Sequence, residues 1–536
     1  MRCWPASSVG VVGGVPVPRL RSRVGVLLLP LLIVLTACSA GPSQRPPVAY
    51  RDGEQQVAPA PQPPKPAPVP ELGPPGSDRL AWQDCAGATQ EALGSPLDPA
   101  LRVQCAQLLT DLDPPGFPTQ GTAQLSLLSA GTGSVPLVVV NDAGGQPGTL
   151  FAAELATRMS PEMLATYRII GMDRRGTGQS DPADCVPSAD RSALVGFDPK
   201  ATDRASLDRL LESVRSSSQE CLLDLDDRLP AYDTWRTAAD LEELRRELQV
   251  PKLHALGRGE GSRVLTTYSE RYPATVGRMV LDGAPDPQLD ARGRGEAQAQ
   301  AAENSFDAFS TDCAARPDCP LGPDPRRTVL DLVERTRTAP LETPEAQVTA
   351  GALVRGMKLG LSDRDRWPEL ANALAAADRG DGAPMARIVA PLSRGSGTFP
   401  PRIDAELITT CNDTTLRIPP ERTADIAADW VEKFPLFGGV SAQYLLWCGQ
   451  WPVPQQPLPS PRAPGLPPIP VVSTAHDPLV PALSSRHMAE QLPSGVVLNW
   501  LGAGHGGVGR SECVTSAISR FFVNGEVPPE GTACPA

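Results

Sequence analysis

The chain has 536 residues, a formal net charge of −12 and 41% hydrophobic residues. This length excludes a single small module, and the hydrophobic content excludes a chain that is disordered throughout. The acidic balance, which no basic stripe interrupts, argues against a nucleic-acid-binding protein. Two counts are unusual, 61 prolines and 12 cysteines, and the positions of both residue types help to divide the chain.

The N-terminal segment 1–37 has the pattern of an export signal. Three arginines between residues 19 and 23 precede the apolar run 24–36, which is shorter than a typical membrane-spanning helix. The run ends in Leu35-Thr36-Ala37-Cys38, which resembles a bacterial lipobox, whose cysteine receives lipid and becomes the first residue of the mature chain. The alternative is an ordinary signal peptide with a chance cysteine. We expect an exported protein that the lipid on Cys38 anchors to the outer face of the bacterial cytoplasmic membrane.

A proline-rich tether is predicted to follow, over residues 38–78. Twelve prolines lie between residues 39 and 76, and this density is incompatible with the interior of a helix or a sheet. A polyproline II segment rises roughly 3 Å per residue, so the tether would reach about 100 Å when fully extended. The tract therefore predicts a spacer between membrane and folded domain; a ligand for another domain is the alternative.

Ten cysteines remain after residue 38, an even number in a chain that we expect to be exported, which favours disulfides. They are Cys85, Cys105, Cys185, Cys221, Cys313, Cys319, Cys411, Cys448, Cys513 and Cys534. The sequence does not fix their connectivity, and sequential pairing is the simplest arrangement. The chain has no C-x-x-C pair, and its four histidines are not spaced as ligands beside cysteine, so we expect no metal site.

The folded part alternates strands with helices. Short apolar runs predict strands at 137–140, 167–173, 253–257, 278–283, 470–475 and 496–500, and apolar residues at helical spacing predict a helix over 237–248. This alternation indicates an α/β fold with a mostly parallel, doubly wound sheet. Nearly two hundred residues of helical character interrupt it and predict an inserted cap. The expected organisation is a core in two parts, 79–284 and 469–536, around a cap at 285–468.

Several stretches together resemble one family, the secreted tripeptidyl aminopeptidases and their proline iminopeptidase relatives, over about residues 80–534. The stretches are Asp173-Arg174-Arg175-Gly176-Thr177-Gly178-Gln179-Ser180, Arg278-Met279-Val280-Leu281-Asp282-Gly283, the cap opening 306–321, Cys411-Asn412-Asp413, Trp447-Cys448-Gly449-Gln450-Trp451-Pro452, Ala475-His476-Asp477-Pro478 and Gly502-Ala503-Gly504-His505-Gly506. The resemblance implies an α/β-hydrolase fold with a large, mainly helical inserted cap, no cofactor, and a serine hydrolase that releases N-terminal peptides.

The nucleophile position departs from the family pattern. In this fold the nucleophile is the central residue of G-x-S-x-G, on a tight turn between a strand and a helix. The matching stretch is Gly257-Arg258-Gly259-Glu260-Gly261, so Gly259 stands where the serine is expected, and glycine cannot form an acyl-enzyme. Glycine also tolerates the strained backbone of such a turn. Ser262 is the nearest alternative nucleophile, but it lies about one helical turn further on.

The predicted oxyanion loop departs from the pattern as well. The family carries a run like H/N-G-G-P-G-G-S-G after its first parallel strand, and this chain has Asn141-Asp142-Ala143-Gly144-Gly145 instead. A carboxylate at Asp142 would oppose the negative charge that develops during acyl transfer. Glu260 raises the same objection, because its backbone N–H would be the second oxyanion donor and its own side chain is negatively charged. Both departures predict a site that is no longer suited to acyl transfer.

Asp477 and His505 match the family's acid and base positions. They are either a residual dyad that holds a ligand or activates water, or a buried pair kept for packing and hydrogen bonding. Two functions remain open. The first is a lipid-anchored, catalytically silent homologue, a pseudoenzyme, whose cap and cleft bind a peptide, an envelope component or a partner protein. The second is an active serine hydrolase or exopeptidase that uses another serine.

Overall fold

The computed structural model describes residues 66–536 except 74–77, 117, 119, 202, 345, 396 and 452–456. The predicted signal peptide, Cys38 and most of the tether lie outside the described residues. In the part that is described, no helix combines the length and apolar character needed to cross a membrane.

The described residues form one ten-stranded sheet with the order β1-β2-β3-β5-β4-β6-β7-β8-β9-β10. Its strands are β1 Gln83–Asp84, β2 Val103–Asp111, β3 Thr122–Ala130, β4 Val135–Val140, β5 Tyr167–Met172, β6 Leu253–Arg258, β7 Val276–Asp282, β8 Ile469–His476, β9 Gly495–Ala503 and β10 Thr532–Cys534. The first three strands pair antiparallel, and β3 also pairs antiparallel with β5. All pairings from β5 through β4 to β10 are parallel.

Helices cover both faces of this sheet, so the central strands are buried on both sides, as their mostly apolar sequences require. All residues of β4, β6 and β7 are buried. The helices of the core are α1 Ala86–Leu93, α2 Gly148–Thr157, α3 Pro161–Thr166, α4 Ser188–Gly196, α5 Arg204–Leu225, α6 Thr234–Glu247 and α7 Glu260–Arg271 before the cap, and two more after β8 and β9.

The chain between β7 and β8 is helical. Its helices are α8 Ala291–Ala314, α9 Pro325–Thr338, α10 Ala350–Leu361, α11 Trp367–Asp378, α12 Ala383–Ser393, α13 Arg402–Asp413, α14 Pro420–Lys433 and α15 Gly438–Trp447. The last two helices of the core are α16 Ala482–Gln491 and α17 Glu512–Asn524. Short 3₁₀ turns occupy Asp226–Ala231, Pro273–Thr275 and Arg364–Arg366. The fold is thus an α/β sheet with a large helical insertion, as the sequence predicts.

The sheet differs from the prediction at its edges. The apolar runs do not predict β2 and β3, which form an antiparallel ladder from Val103–Ala130 to Asp111–Thr122. Exposed and buried residues alternate along the second half of β2, because this strand lies near the edge of the sheet and has one face in water. The six predicted strands are all present with slightly different ends.

Five disulfides close short loops of the chain. The pairs are Cys85–Cys105, Cys185–Cys221, Cys313–Cys319, Cys411–Cys448 and Cys513–Cys534. The structure therefore has the sequential pairing. The pair Cys411–Cys448 links the end of α13 to the end of α15, and so it fixes two cap helices to each other.

Candidate functional site

The turn between β6 and α7 holds the residue that stands in place of the nucleophile. Gly259 follows the last residue of β6 and caps α7, with φ 57° and ψ −126°. A positive φ with this ψ is strained for any residue that has a Cβ. Its N–H donates to the carbonyl of Asp282 at the end of the neighbouring strand β7, at 3.0 Å. The local backbone is therefore the tight elbow that the sequence predicts.

The carboxylate of Asp142 occupies the space above this elbow. An ideal Cβ built on Gly259 would lie 2.2 Å from Oδ1 and 2.7 Å from Oδ2 of Asp142, and 2.7 Å from Nε2 of His505. Contacts below 3.0 Å are essentially never seen for a real Cβ. The volume that a serine side chain would need at residue 259 is thus filled by a side chain from the loop after β4.

His505 lies between two carboxylates. Its Nδ1 is 3.0 Å from Oδ2 of Asp477, and its Nε2 is 2.9 Å from Oδ2 of Asp142. Burial disfavours the charged imidazole, but the charges of Asp477 and Asp142 outweigh burial and raise the pKa of His505 to about 10. At neutral pH both ring nitrogens therefore carry protons and donate, and the ring has no free lone pair with which to accept a proton.

Asp142 also takes the backbone amide that would stabilise an oxyanion. The N–H of Glu260, the residue after the elbow, donates to Oδ1 of Asp142 at 2.7 Å. Burial opposes ionisation of Asp142, but the charge of His505 and hydrogen bonds from His505 and Glu260 hold its pKa below the usual range. One ionised side chain thus engages two groups that serve acyl transfer in this fold, the histidine and the amide after the nucleophile.

The hydroxyls of two nearby serines, Ser262 and Ser362, donate to backbone carbonyls and not to His505. Ser262 is fully buried, and its Oγ donates to the carbonyl of Gly257 at 2.9 Å. Ser362 touches the histidine loop through its backbone, because its carbonyl accepts from the N–H of His505 at 2.8 Å, whereas its Oγ donates to the carbonyl of Lys358. Within the described part of the chain, no hydroxyl makes a hydrogen bond to the His505 ring.

An ion pair that sequence reasoning missed positions the loop that carries His505. Arg258, the residue before the elbow, donates to Oδ2 of Asp282 at 3.1 Å. The other oxygen of Asp282 accepts from the N–H of Gly507 at 2.7 Å. Asp282 is fully buried, so this network links the ends of β6 and β7 to the loop after β9. The available signal was an acidic residue, Asp282, directly after the apolar run Met279-Val280-Leu281.

The predicted oxyanion loop is a compact turn. The side-chain amide of Asn141 donates to the carbonyl of Gln146 at 2.7 Å, and the N–H of Gly145 donates to the carbonyl of Asp142 at 3.1 Å. Gly144 lies against a cap residue, since an ideal Cβ there would be 2.9 Å from Cδ of Glu406. The structure thus gathers Asn141, Asp142, Gly144 and Gly145 beside the elbow.

A cavity of about 460 Å³ lies over the elbow, beneath the cap. Asp142, Glu260 and His505 form part of its floor. Residues from α10 and α13 line it from the cap, among them Lys358 and Glu406. No tryptophan lines it; in the described chain Trp367, Trp430 and Trp447 are buried in the core. Nor do the described residues contain a group of three or more His, Cys, Asp or Glu placed to hold a metal ion.

This strand order, with an elbow after β6, an acid after β8 and a histidine after β9, defines an α/β hydrolase, and the chain has that fold. Among proteins with this fold, the chain is similar to the tripeptidyl aminopeptidase-like hydrolases. A family model described as "TAP-like protein" matches residues 434–534. The position of Gly259 sets this chain apart from the family pattern of a serine in the elbow.

Three relatives match along most of their length. The serine protease Hip1 of Mycobacterium tuberculosis (strain H37Rv) is 27% identical over 423 residues, which are 74% of this chain and 80% of the relative. Carboxylesterase B of the same strain is 29% identical over 456 residues, 79% of this chain and 84% of the relative. Tripeptidyl aminopeptidase of Streptomyces lividans is 25% identical over 415 residues, which are 74% of this chain and 76% of the relative.

Proposed function

We propose that this chain is a catalytically silent tripeptidyl aminopeptidase-like hydrolase that acts by binding. The observation that carries the proposal is the Asp142 carboxylate, which stands in the space of the missing serine side chain and holds both His505 and the Glu260 amide. Removal of the nucleophile from a serine hydrolase site costs on the order of a millionfold in turnover. Here the proton acceptor and an oxyanion donor are engaged as well.

Binding is the function that remains for the cavity. The chain keeps a cap, a walled space of about 460 Å³ and charged groups inside it, which is within the usual range for a small-molecule or peptide site. The names of the relatives, a serine protease, a carboxylesterase and a tripeptidyl aminopeptidase, suggest ligands that carry an acyl or peptide group. A peptide, an envelope component or a protein partner fits this proposal.

The alternative is an active serine hydrolase that uses another serine. Ser262 is its nearest candidate, and the hydrogen bond from its buried hydroxyl to the carbonyl of Gly257 opposes that role. A fluorophosphonate probe and hydrolysis of tripeptidyl amides and p-nitrophenyl esters distinguish the two functions. We expect neither labelling nor turnover. Labelling that Ser262→Ala or His505→Ala abolishes would overturn the silent function.

We further propose that the chain is exported and anchored through lipid on Cys38. The five disulfides support an oxidising compartment outside the cytoplasm. Expression of the full chain in a bacterium that processes lipoproteins, followed by membrane fractionation, tests the anchor. We expect the protein in the membrane fraction and its Cys38→Ser variant in the soluble exported fraction; identical fractionation of both would contradict the anchor.

A further inference from the structure

Two cap helices present charged faces to the cavity. On α10 the lining residues Arg355 and Lys358 are spaced by three positions, and on α13 Arg402 and Glu406 are spaced by four. Residues at these spacings share one side of a helix. The charged groups are therefore features of the cap itself and lie apart from the elbow.

Two of these cations have no acidic partner in contact. In the part of the chain that is described, neither the ammonium of Lys358 nor the guanidinium of Arg402 makes a hydrogen bond or an ion pair within 4.0 Å; the ammonium of Lys358 lies 5.8 Å from the centre of the Tyr444 ring. Burial lowers the pKa of Lys358 although the charge of Glu406 opposes it, and burial lowers the pKa of Arg402 to about 10. Both residues are half-buried and lack a contacting counter-charge, which a bound anion would supply.

Two further guanidinium groups on the cavity wall have unused donors. Nη1 of Arg174 and Nε of Arg355 are buried and have no partner among the described residues. The residues are only 2% and 3% exposed, and both line the cavity. Another nitrogen of each residue is engaged: Nη2 of Arg174 donates to Oγ1 of Thr234, and Nη1 of Arg355 donates to the carbonyl of Val195. Buried donors without partners are rare in native structures and indicate a missing acceptor.

Glu406 also lines the cavity and its charge acts on Lys358 and Arg355, although it makes no ion pair with either within 4.0 Å. Three other carboxylates of the cavity are committed to other groups. Asp142 is held by His505 and the Glu260 amide, Glu260 pairs with Arg263 at 2.7 Å, and Asp413 accepts from the N–H of Thr234 at 2.9 Å. Apolar side chains complete the wall between the charges; they are Leu359, Leu370, Ile388, Leu392 and Leu445. The cavity therefore combines unpartnered cations with an apolar surface.

We propose that the cap cavity binds a small organic anion, a carboxylate on an apolar body, through Lys358 and Arg402 with Arg355 and Arg174 as further donors. This inference rests on the proposed function, because Asp142 already occupies the elbow and its amide donor. The carboxylate of the ligand is therefore received by the cations of the cap, while its apolar body lies against the leucines of the wall. The shared chemistry fits a fatty acid or the carboxyl end of a short apolar peptide.

Isothermal titration calorimetry on the purified full-length chain tests this inference. Decanoate and N-acetyl-Ala-Ala-Leu with a free carboxyl end are the two anionic probes. Decyltrimethylammonium and the same tripeptide as its C-terminal amide are their matched controls. We expect at least one anion to bind and its control to bind at least about tenfold more weakly; the anion that binds identifies the source of the carboxylate.

Substitutions in the cavity assign the binding to it. We expect Lys358→Met and Arg402→Met each to weaken anion binding at least about tenfold, which corresponds to about 1.4 kcal/mol. Lys433→Met and Arg327→Met, exposed cap residues outside the cavity, should leave it within about twofold. Circular dichroism on each variant confirms that it is folded, and Lys358→Arg should retain most of the affinity.

Failure of this inference is separable from failure of the proposed function. Absence of binding by both anions, equal binding of the cationic or amide controls, or unchanged affinity in both cavity variants would overturn the anion site. Ester and amide hydrolysis is measured on the same preparations. Turnover would refute silence whatever binds in the cavity, whereas a silent protein without anion binding would refute only the inference drawn here.

Discussion

Restoring the serine at residue 259 alone should not restore an enzyme. A Cβ at this position would lie 2.2 Å from Oδ1 of Asp142, so the carboxylate must move before a serine side chain can fit. In moving, it gives up its hydrogen bonds to the Glu260 amide and to His505, each worth about 1.5–3 kcal/mol because charge is involved. The positive φ adds about 1–3 kcal/mol of strain. We therefore expect Gly259→Ser to destabilise the fold by about 4 kcal/mol or more.

The double variant Asp142→Gly/Gly259→Ser removes this conflict. With the carboxylate gone, the serine hydroxyl can approach Nε2 of His505, the Glu260 amide becomes free, and the imidazole loses one of the two charges that keep it protonated. In the Asp142→Gly background, Gly259→Ser should then cost only the backbone strain. The two substitutions should show a coupling energy of about 3 kcal/mol in a double-mutant cycle of urea unfolding.

Hydrolytic activity should also depend on both substitutions. Because a missing nucleophile costs on the order of a millionfold, we expect the double variant to hydrolyse p-nitrophenyl butyrate at least about a thousandfold faster than Gly259→Ser and to react with a fluorophosphonate probe. Asp142→Gly/Gly259→Ala, which has the strain without the hydroxyl, is the matched control and should do neither. Equal activity of Gly259→Ser and the double variant would refute the argument that Asp142 blocks the site.

Three further predictions concern stability. The pKa of His505 is raised to about 10, so the stability that its protonated ring contributes is complete below pH 6.5 and is lost as the pH rises to about 10. We expect urea unfolding at each pH to show that the free energy of unfolding falls by up to about 5 kcal/mol over this window, and by less in Asp142→Asn. Asp240→Asn leaves the buried guanidinium of Arg175 without its counter-charge and should cost about 3–5 kcal/mol, whereas Asp208→Asn at an exposed pair should cost less than about 1 kcal/mol in the same assay. Removal of Cys411–Cys448, which spans 37 residues, should lower stability by about 1.6 kcal/mol more than removal of Cys313–Cys319, which spans 6; equal losses would show that loop length does not govern the effect.

Much of the fold was predictable because it depends on local pattern. The buried parallel strands are continuous apolar runs, such as residues 135–140, and these are recognisable without knowledge of their neighbours. The antiparallel strands β2 and β3 escaped prediction because each has polar residues along one face or at its ends. The elbow was predictable from its flanking glycines, Gly257 and Gly261, which allow close approach of the backbone.

The charge state of the site was not predictable in the same way. The sequence suggests that a carboxylate at Asp142 is unfavourable for catalysis, but the contact with the Glu260 amide joins residues 118 positions apart. Likewise, the pattern matches His505 to the family's base and does not reveal that a second carboxylate keeps it protonated. The cavity could not be predicted from the sequence, because it forms only where α10 and α13 meet over the elbow.

The substitutions at 142 and 259 are physically a single change. Asp142 can hold its present position only above a residue without a Cβ, because the Cβ of any other residue at 259 would lie 2.2 Å from its carboxylate. Conversely, a glycine alone at 259 would leave an empty space, an unpartnered Glu260 amide and an imidazole that faces it. The carboxylate fills that space and satisfies both groups with ionised hydrogen bonds. The pair of residues thus turns a strained arrangement of the fold into a buried and fully partnered one, and a return to catalysis requires that both be reversed together.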